Sequence, residues 1–354
     1  MSGAEFHTLT VRAVDRLTDE SVAVEFEVPP ELSTVYDFVA GQHVIVRHEI
    51  DGQDVRRSYS LCAPAGSGRV RVGVKQVAGG VFSTFANKEL RPGMQLEVTT
   101  PTGEFTALPQ PAARRYCAIA AGSGITPVLS LISTLLRDEP ESEVFLIYGN
   151  RHGGSVMFLE ELADLKDRHL DRFSLTHVLS REMTGVPLFN GRLSGEKIHE
   201  LFDALIPVAD IDRWFLCGPL GVVENAQKAL ADRGVADQRI ATELFFDERP
   251  PEIPTAVVGD AAGSSVRFTL GGRTSELRID PDGPPILDYV VSVRSDAPFS
   301  CRNGACASCR ALVLEGEATM HHNWCLTDAE VAAGQILTCQ AHPVTDVLEL
   351  TYDL

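Results

Sequence analysis

Hydrophobic and polar positions follow different rhythms in successive parts of the chain. Across residues 1–109 apolar and polar residues alternate in short segments: "HTLTVRAV", "SVAVEFEV", "HVIVRHEI", "RRSYSLCA", "RVRVGVKQV" and "MQLEVTTP". A period of two sends successive side chains to opposite faces, so these segments predict strands of an antiparallel β-barrel. Across residues 110–246 strand-like runs ("YCAIAA", "VFLIYGN", "SLTHVLS", "RWFLCG", "RIATELFF") alternate with helical ones ("TPVLSLISTLLRD", "MFLEELADLKDRHL", "LGVVENAQKALADRG"). In the first helix Val128, Leu129, Ile132, Leu135 and Leu136 share a face, as in a helix laid on a sheet. Such alternation predicts an α/β, doubly wound parallel sheet. From residue 265 to 354 the pattern is mixed: "SSVRFTLGGRTSELRID" reads as two strands around a Gly-Gly turn, "PPILDYVVSV" as a helix opened by prolines, and "CRALVLEGEATM" as strand, an α+β domain. Residues 247–264, "DERPPEIPTAVVGDAAGS", have no such periodicity and read as a linker.

A chain of 354 residues exceeds one hydrophobic core, in keeping with several domains. Its formal charge of -18 argues against nucleic acid as a partner, because a polyanion would be repelled. No apolar run approaches the roughly 18 residues of a membrane span, and the N-terminal "MSGAEFHTLTVRAVDR" has no apolar signal core. The expectation is a cytoplasmic protein with no membrane partner. A reducing compartment then favours metal or redox roles for clustered thiols over disulfides.

Four of the eight cysteines form a pattern. Cys301, Cys306 and Cys309 follow C-x4-C-x2-C in "CRNGACASCR", and Cys339 follows in "ILTCQAHP", the plant-type spacing for a [2Fe-2S] cluster held by thiolates. Gly304, Ala305, Ala307 and Ser308 are small, which lets backbone N–H groups approach the sulfurs. A four-cysteine zinc site is the alternative, but that usually shows two C-x2-C knuckles and only Cys306 and Cys309 make one. Cys62, Cys117, Cys217 and Cys325 fit no ligand spacing and read as buried core thiols, and His321 and His322 read as surface residues.

Strand ends supply the other candidate chemistry. In "AGSGITP", Gly122 and Gly124 allow a tight turn and close approach of a phosphate, with Thr126 and Pro127 in the first turn of the following helix. Ser180 and Arg181 in "LSRE" are suited to the 2'-phosphate of NADPH. "CGP" places Cys217 and Gly218 at a strand end, with Pro219 starting the next helix. Within the barrel, "RRSYS" offers Arg57, Ser58, Tyr59 and Ser60, of which Arg57 and Tyr59 share a face. They suit a flavin: guanidinium on the pyrophosphate, phenol ring against the isoalloxazine, hydroxyl near N5. The turn from Gly79 and Gly80 into a helix carrying Val81, Ser83 and Thr84 offers a further anion site. Alone, each has a plainer reading that outweighs it or stands level with it: a strand-to-helix turn for "AGSGITP", a solvated loop arginine for Arg181, a buried thiol for Cys217, and a surface strand followed by a capped helix for the barrel motifs.

Taken together and in order, "RSYS", "GGVFST", "AGSGITP", "CGP" and the terminal cysteines resemble the ferredoxin-NADP+ reductase superfamily fused to a C-terminal plant-type ferredoxin domain, over nearly the whole chain. The resemblance implies FAD contacts from Arg57, Tyr59, Ser60, Gly80 and Ser83. It also implies nicotinamide-side roles for Gly122, Thr126, Cys217 and Glu243, the last in "TELFF". FMN is the alternative flavin, because a related dioxygenase reductase family built from the same domain types uses it; "GGVFST" is more similar to FAD-binding members. "LSRE" resembles NADPH-specific relatives, with NADH the alternative. The implied activity is electron transfer from NAD(P)H, which releases electrons as hydride, through a flavin to a cluster near about -400 mV, and on to a non-haem iron oxygenase component that takes them singly. The acidic composition suits docking against a basic patch of that partner. A reading from another class is a metal-stabilised interaction module that transfers nothing, against which the intact motifs and all four cysteines stand.

Overall fold

The computed structural model describes residues 5–245 and 263–354, so the linker reading falls outside the described residues save for its last two. The chain divides into two compact units, a larger one over residues 7–55 and 59–246 and a smaller C-terminal one.

The larger unit opens with strands β1 (Phe6–Thr18), β2 (Ser21–Glu27), β3 (His43–Ile50), β4 (Gln53–Ser60), β5 (Val70–Lys75) and β6 (Gln95–Thr99). They form a six-stranded sheet in the order β4-β3-β6-β1-β2-β5. An antiparallel bridge from Leu61, just past β4, to Val72 of β5 joins the two edges, and Cys62 N–H donates to Arg71 O at 2.9 Å. Closure removes the exposed edges that an open sheet would leave. The barrel is filled by the inward alternate residues of its strands, among them Leu9, Val11, Val22, Val24, Val44, Val46 and Val72. Helix α1 (Val81–Lys88) adds Phe82 and Phe85 to this core.

Five parallel strands follow: β7 (Arg115–Ala121), β8 (Glu143–Asn150), β9 (Phe173–Leu179), β10 (Arg213–Gly218) and β11 (Ile240–Leu244), ordered β11-β10-β7-β8-β9. Between them lie α2 (Ile125–Asp138), α3 (Leu159–Arg168), α4 (Gly195–Leu205) and α5 (Leu220–Ala231). The chain leaves β7 toward β8 on one side, while β10 lies on its other side, which makes the carboxyl ends of β7 and β10 the topological switch point where ligands bind in open α/β sheets. Helix α4, which the periodicity reading does not name, starts where Ser194 Oγ accepts from Lys197 N–H at 3.2 Å, a side-chain cap. Helix α3 begins later than the expected Met157 because Phe158 adopts φ 59, a left-handed conformation that cannot continue a helix.

Helix α2 corrects the picture of one apolar face. Its expected face is buried, but so are Leu131, Ser130 and Thr134. Ser130 Oγ donates to Ala63 O at 2.7 Å, and Ala65 N–H donates to Thr134 Oγ1 at 3.0 Å, both partners lying just past the end of β4. The helix is therefore packed on two sides, with hydroxyls meeting barrel backbone groups that burial would otherwise leave unpaired. Gly73 of β5 belongs to the same seam: a Cβ there would stand 2.6 Å from Thr126 Cγ2 and 3.0 Å from Phe158 Cζ.

The smaller unit contains β12 (Ser264–Leu270), β13 (Arg273–Ile279), α6 (Ile286–Val293), β14 (Arg310–Glu315), β15 (Ala318–Met320), α7 (Asp328–Ala332), β16 (Gln335–Leu337), β17 (Ala341–Pro343) and β18 (Val347–Thr351). Its main sheet runs β13-β12-β18-β14-β16, with β12 and β18 parallel. The Gly-Gly hairpin is present with both glycines at positive φ, 58 and 69, the geometry a tight two-residue turn needs. Ile286, Tyr289 and Val290 of α6 share a core with Val266, Phe268, Leu348 and Leu350 of the sheet. No described helix is long and apolar enough to cross a membrane.

Candidate functional site

At the switch point the first turn after β7 is pressed against the end of β10. Gly122 sits at φ 55, and its carbonyl accepts from the buried Tyr148 hydroxyl at 2.9 Å, which ties the turn to β8. Gly124 has ordinary helical angles, so its requirement is space: a Cβ would stand 2.3 Å from Cys217 O. Thr126 is buried and its hydroxyl donates to Ser123 O at 3.0 Å, which closes the turn. Pro127, also buried, lies in the first turn of α2, and Pro219 is the N-cap residue of α5.

Parallel register places Cys217 beside Glu243 on β11 and beside Ala120 on β7. Ser60, the last residue of β4 and buried, donates to Glu243 Oε2 at 3.0 Å, and Cys217 Sγ lies 3.9 Å from the same oxygen. Burial pushes the Glu243 carboxyl up to about 7, against the two hydrogen bonds, which pull it down. Burial and the neighbouring carboxylate push the Cys217 thiol well up, so it stays neutral and donates. A hydroxyl, a thiol and a carboxyl far apart in sequence thus meet at one point.

Beside them the barrel presents the other expected residues. Arg57 and Tyr59 lie on one face of β4, Ser58 and Ser60 on the other. Gly79, at φ 76, and Gly80, the N-cap residue, turn the chain into α1, whose first residues are Val81, Phe82, Ser83 and Thr84. Ser83 is buried; its hydroxyl accepts from Val77 N–H at 3.1 Å and donates to Gly80 O at 3.4 Å. It shapes the turn into α1, whose N-terminus is the end of a helix that favours an anion. Lys75, at the end of β5, is a residue that motif reading missed. Its Nζ stands 3.7 Å from where a Gly122 Cβ would be, and burial first, then the nearby Arg151, lowers its pKa. The available signal was a lone lysine closing the apolar run "VRVGV".

The ends of β8 and β9 bring Ser180 and Arg181 next to Arg151: Ser180 N–H donates to Asn150 O at 2.9 Å and Arg181 N–H to Arg151 O at 2.7 Å. Arg151 and Arg181 are both exposed, a two-arginine rim at this edge of the sheet.

In the smaller unit the four cysteines gather as two pairs. Cys301 hydrogen-bonds Cys306 and lowers its pKa, and Cys309 hydrogen-bonds Cys339 and lowers its pKa. Backbone N–H groups reach the sulfurs, Cys301 N–H to Cys306 Sγ at 3.5 Å and Asn303 N–H to Cys301 Sγ at 3.4 Å. Arg302, Gly304 and Ala307 take φ 55, 75 and 54, which curls the loop around its thiols, and Arg302 is ion-paired to the buried Asp288 side chain of α6. Among the described residues no group of three or more His, Cys, Asp or Glu converges to hold a metal ion. Two pairs fit a different donor set, a two-iron cluster in which each iron takes two thiolates and its remaining ligands are sulfides. Cys62, Cys117 and Cys217 are buried, whereas Cys325 departs from its core reading: it is only partly buried, against the cysteine loop.

Known proteins resemble this chain in sequence and in fold. Residues 8–107 match the oxidoreductase FAD-binding domain family, residues 118–228 the oxidoreductase NAD-binding domain family, and residues 268–344 the 2Fe-2S iron-sulfur cluster binding domain family. The chain is 40% identical to a subunit of 1,2-phenylacetyl-CoA epoxidase of Escherichia coli K12, over 98% of each chain. It is 31% identical to the ferredoxin reductase component of 3-ketosteroid-9-alpha-monooxygenase of Rhodococcus rhodochrous, over 99% of this chain and 98% of that one. Among solved structures, phthalate dioxygenase reductase shares the fold with a TM-score of 0.64 at 23% identity, over 98% of each chain. Fold and site define an NAD(P)H-dependent flavin and iron-sulfur oxidoreductase that uses FAD, NAD(P)H and a [2Fe-2S] cluster. The chain belongs to the family of reductase components of multicomponent oxygenases, in which a ferredoxin-NADP+ reductase module precedes a plant-type ferredoxin domain.

The raised Glu243 has a consequence for stability. Its folded pKa of about 7 lies above the ordinary 4.5, so the folded state binds the proton more tightly and stability falls as pH rises from about 4.5 to about 7, then levels off. Glu243→Gln removes this term: in urea denaturation across that window, the parent should lose stability relative to the variant as pH rises. Parallel pH curves for the two proteins would show that the carboxyl is not perturbed.

Proposed function

We propose that this protein is the electron-transfer reductase of a phenylacetyl-CoA epoxidase system, passing electrons from NADPH through FAD and its [2Fe-2S] cluster to a non-haem iron oxygenase component in the cytoplasm. The observation that carries the reading is the 40% identity to a subunit of that system, extending over 98% of both chains. FAD supplies the step from a two-electron hydride to single electrons, and the cluster relays them.

In this proposal Arg57 would bind the flavin pyrophosphate together with the turn that runs through Gly79, Gly80, Val81, Ser83 and Thr84 into α1, Tyr59 would offer its ring to the isoalloxazine, and Ser58 lines the same strand. Ser60 would present its hydroxyl oxygen to flavin N5, and Glu243 fixes the orientation of that hydroxyl by accepting its proton at 3.0 Å. Cys217, Gly218 and the Gly122 turn bound the nicotinamide. Lys75 and Arg151 neutralise the dinucleotide pyrophosphate, and Ser180 and Arg181 bind the 2'-phosphate. None of these groups needs to act as a strong acid or base, because their part would be to orient the two bound groups toward each other and exclude water. Cys301, Cys306, Cys309 and Cys339 hold the cluster.

The NADPH preference has its own check. A charge-assisted hydrogen bond contributes about 1.5–3 kcal/mol, so Arg181→Ala should raise KM for NADPH roughly 10- to 100-fold while leaving KM for NADH nearly unchanged. Equal effects on the two nucleotides would remove Arg181 from the 2'-phosphate site.

The function itself is tested by reconstitution. With the epoxidase oxygenase component and phenylacetyl-CoA, the purified protein should support NADPH-dependent turnover that weakens as salt rises, given the charge of -18 and a basic docking face on the partner. Turnover only with a 3-ketosteroid oxygenase would reassign the partner, and pure protein without yellow-brown colour would return the non-catalytic reading.

A further inference from the structure

The cysteine loop is braced from one side by the segment between β15 and α7. Gly304, midway between Cys301 and Cys306, has its carbonyl bonded twice, by Trp324 N–H at 3.0 Å and by Cys325 Sγ at 3.4 Å. Its approach to that segment is close: a Cβ on Gly304 would stand 3.1 Å from His322 O and 3.0 Å from Gln340 Cγ. Asn323 sets the brace, its Oδ1 accepting from Cys325 N–H at 3.3 Å and Leu326 N–H at 2.8 Å, and its Nδ2 donating to Leu326 O at 2.8 Å. From the other side, Gln340 Nε2 donates to Arg302 O at 2.9 Å and to Cys339 O at 2.8 Å.

In a planar trans peptide the C=O and the following N–H point in opposite directions. Tying the Gly304 carbonyl out to residues 324 and 325 therefore turns the Ala305 N–H the other way. In the same loop Cys301 N–H lies 3.5 Å from Cys306 Sγ and Asn303 N–H 3.4 Å from Cys301 Sγ. The Cys325 thiol thus ties the loop to the segment after β15 by donating to the Gly304 carbonyl.

We propose that Cys325 is a positioning residue for the [2Fe-2S] cluster: its thiol fixes the loop between Cys301 and Cys309 so that backbone N–H groups stay aimed at the ligand sulfurs. The proposal rests on the assignment of the four cysteines as cluster ligands. N–H groups directed at cluster sulfurs stabilise the more negative, reduced form, and so raise the potential. Loosening the loop should lower it.

The test is a potentiometric titration of the full holoenzyme followed by electron paramagnetic resonance, for the parent, Cys325→Ala and Cys325→Ser. Cys325→Ala should move the cluster midpoint to more negative potential and broaden the signal, with NADPH-dependent ferricyanide reduction at the flavin unchanged. Cys325→Ser, which keeps a donor toward Gly304, should retain the parent midpoint or lie positive of it. An unmoved midpoint in the alanine variant, or an equal negative shift in the serine variant, would overturn the proposal. If the alanine variant loads no cluster, the serine variant decides on the same criterion. Absence of a [2Fe-2S] signal in the parent would instead mark failure of the ligand assignment itself.

Discussion

The catalytic side of the molecule depends on one close packing: Gly124 against the end of β10, where any side chain would collide with the Cys217 carbonyl. That contact brings the turn after β7 and the end of β10 together as one wall. Register then does the rest, because Cys217 pairs with Glu243 across β10 and β11, and Glu243 is the acceptor for Ser60. A constraint on the backbone is in this way converted into the placement of three polar side chains, one of them supplied by the barrel. Helix α2, buried on two sides, makes the barrel and the parallel sheet share a core, so the distance between Ser60 and Glu243 is set by packing that resists adjustment.

The iron-sulfur unit solves a comparable problem differently. A loop that must present backbone N–H groups to sulfur cannot be a regular element, since helices and strands spend those groups on their own carbonyls. Left-handed residues at 302, 304 and 307 free them, and the conformational cost is offset by the Arg302–Asp288 ion pair, the Gln340 amide and the segment 322–325.

Much of this was legible in the residues. Alternation in "SVAVEFEV" and helical spacing in "TPVLSLISTLLRD" predict the elements because burial of one face dominates their energetics, and the cysteine spacing names its cofactor because chain geometry limits how a loop can wrap a cluster. What spacing could not reveal is where hydroxyls and thiols direct their hydrogen bonds. Ser83 and Thr126 each donate their hydroxyl proton to a nearby carbonyl, which spacing alone does not show, while Cys325 fits no ligand pattern and yet reaches the loop. Ser60 and Glu243 are 183 residues apart and share no local signal; only the resemblance to the reductase superfamily placed them in one site. Lys75 escaped for a related reason, since a single lysine at a strand end gains its meaning from the Gly122 turn it faces.

One chain thus carries the parts needed to take electrons from NAD(P)H through a flavin to the cluster. Anaerobic titration of the purified holoenzyme with NADPH, followed by visible absorption and electron paramagnetic resonance, tests that route most directly. Bleaching of the flavin together with the signal of a reduced [2Fe-2S] cluster is the predicted result. A flavin that bleaches while the cluster remains oxidised, although dithionite reduces it, would contradict the route.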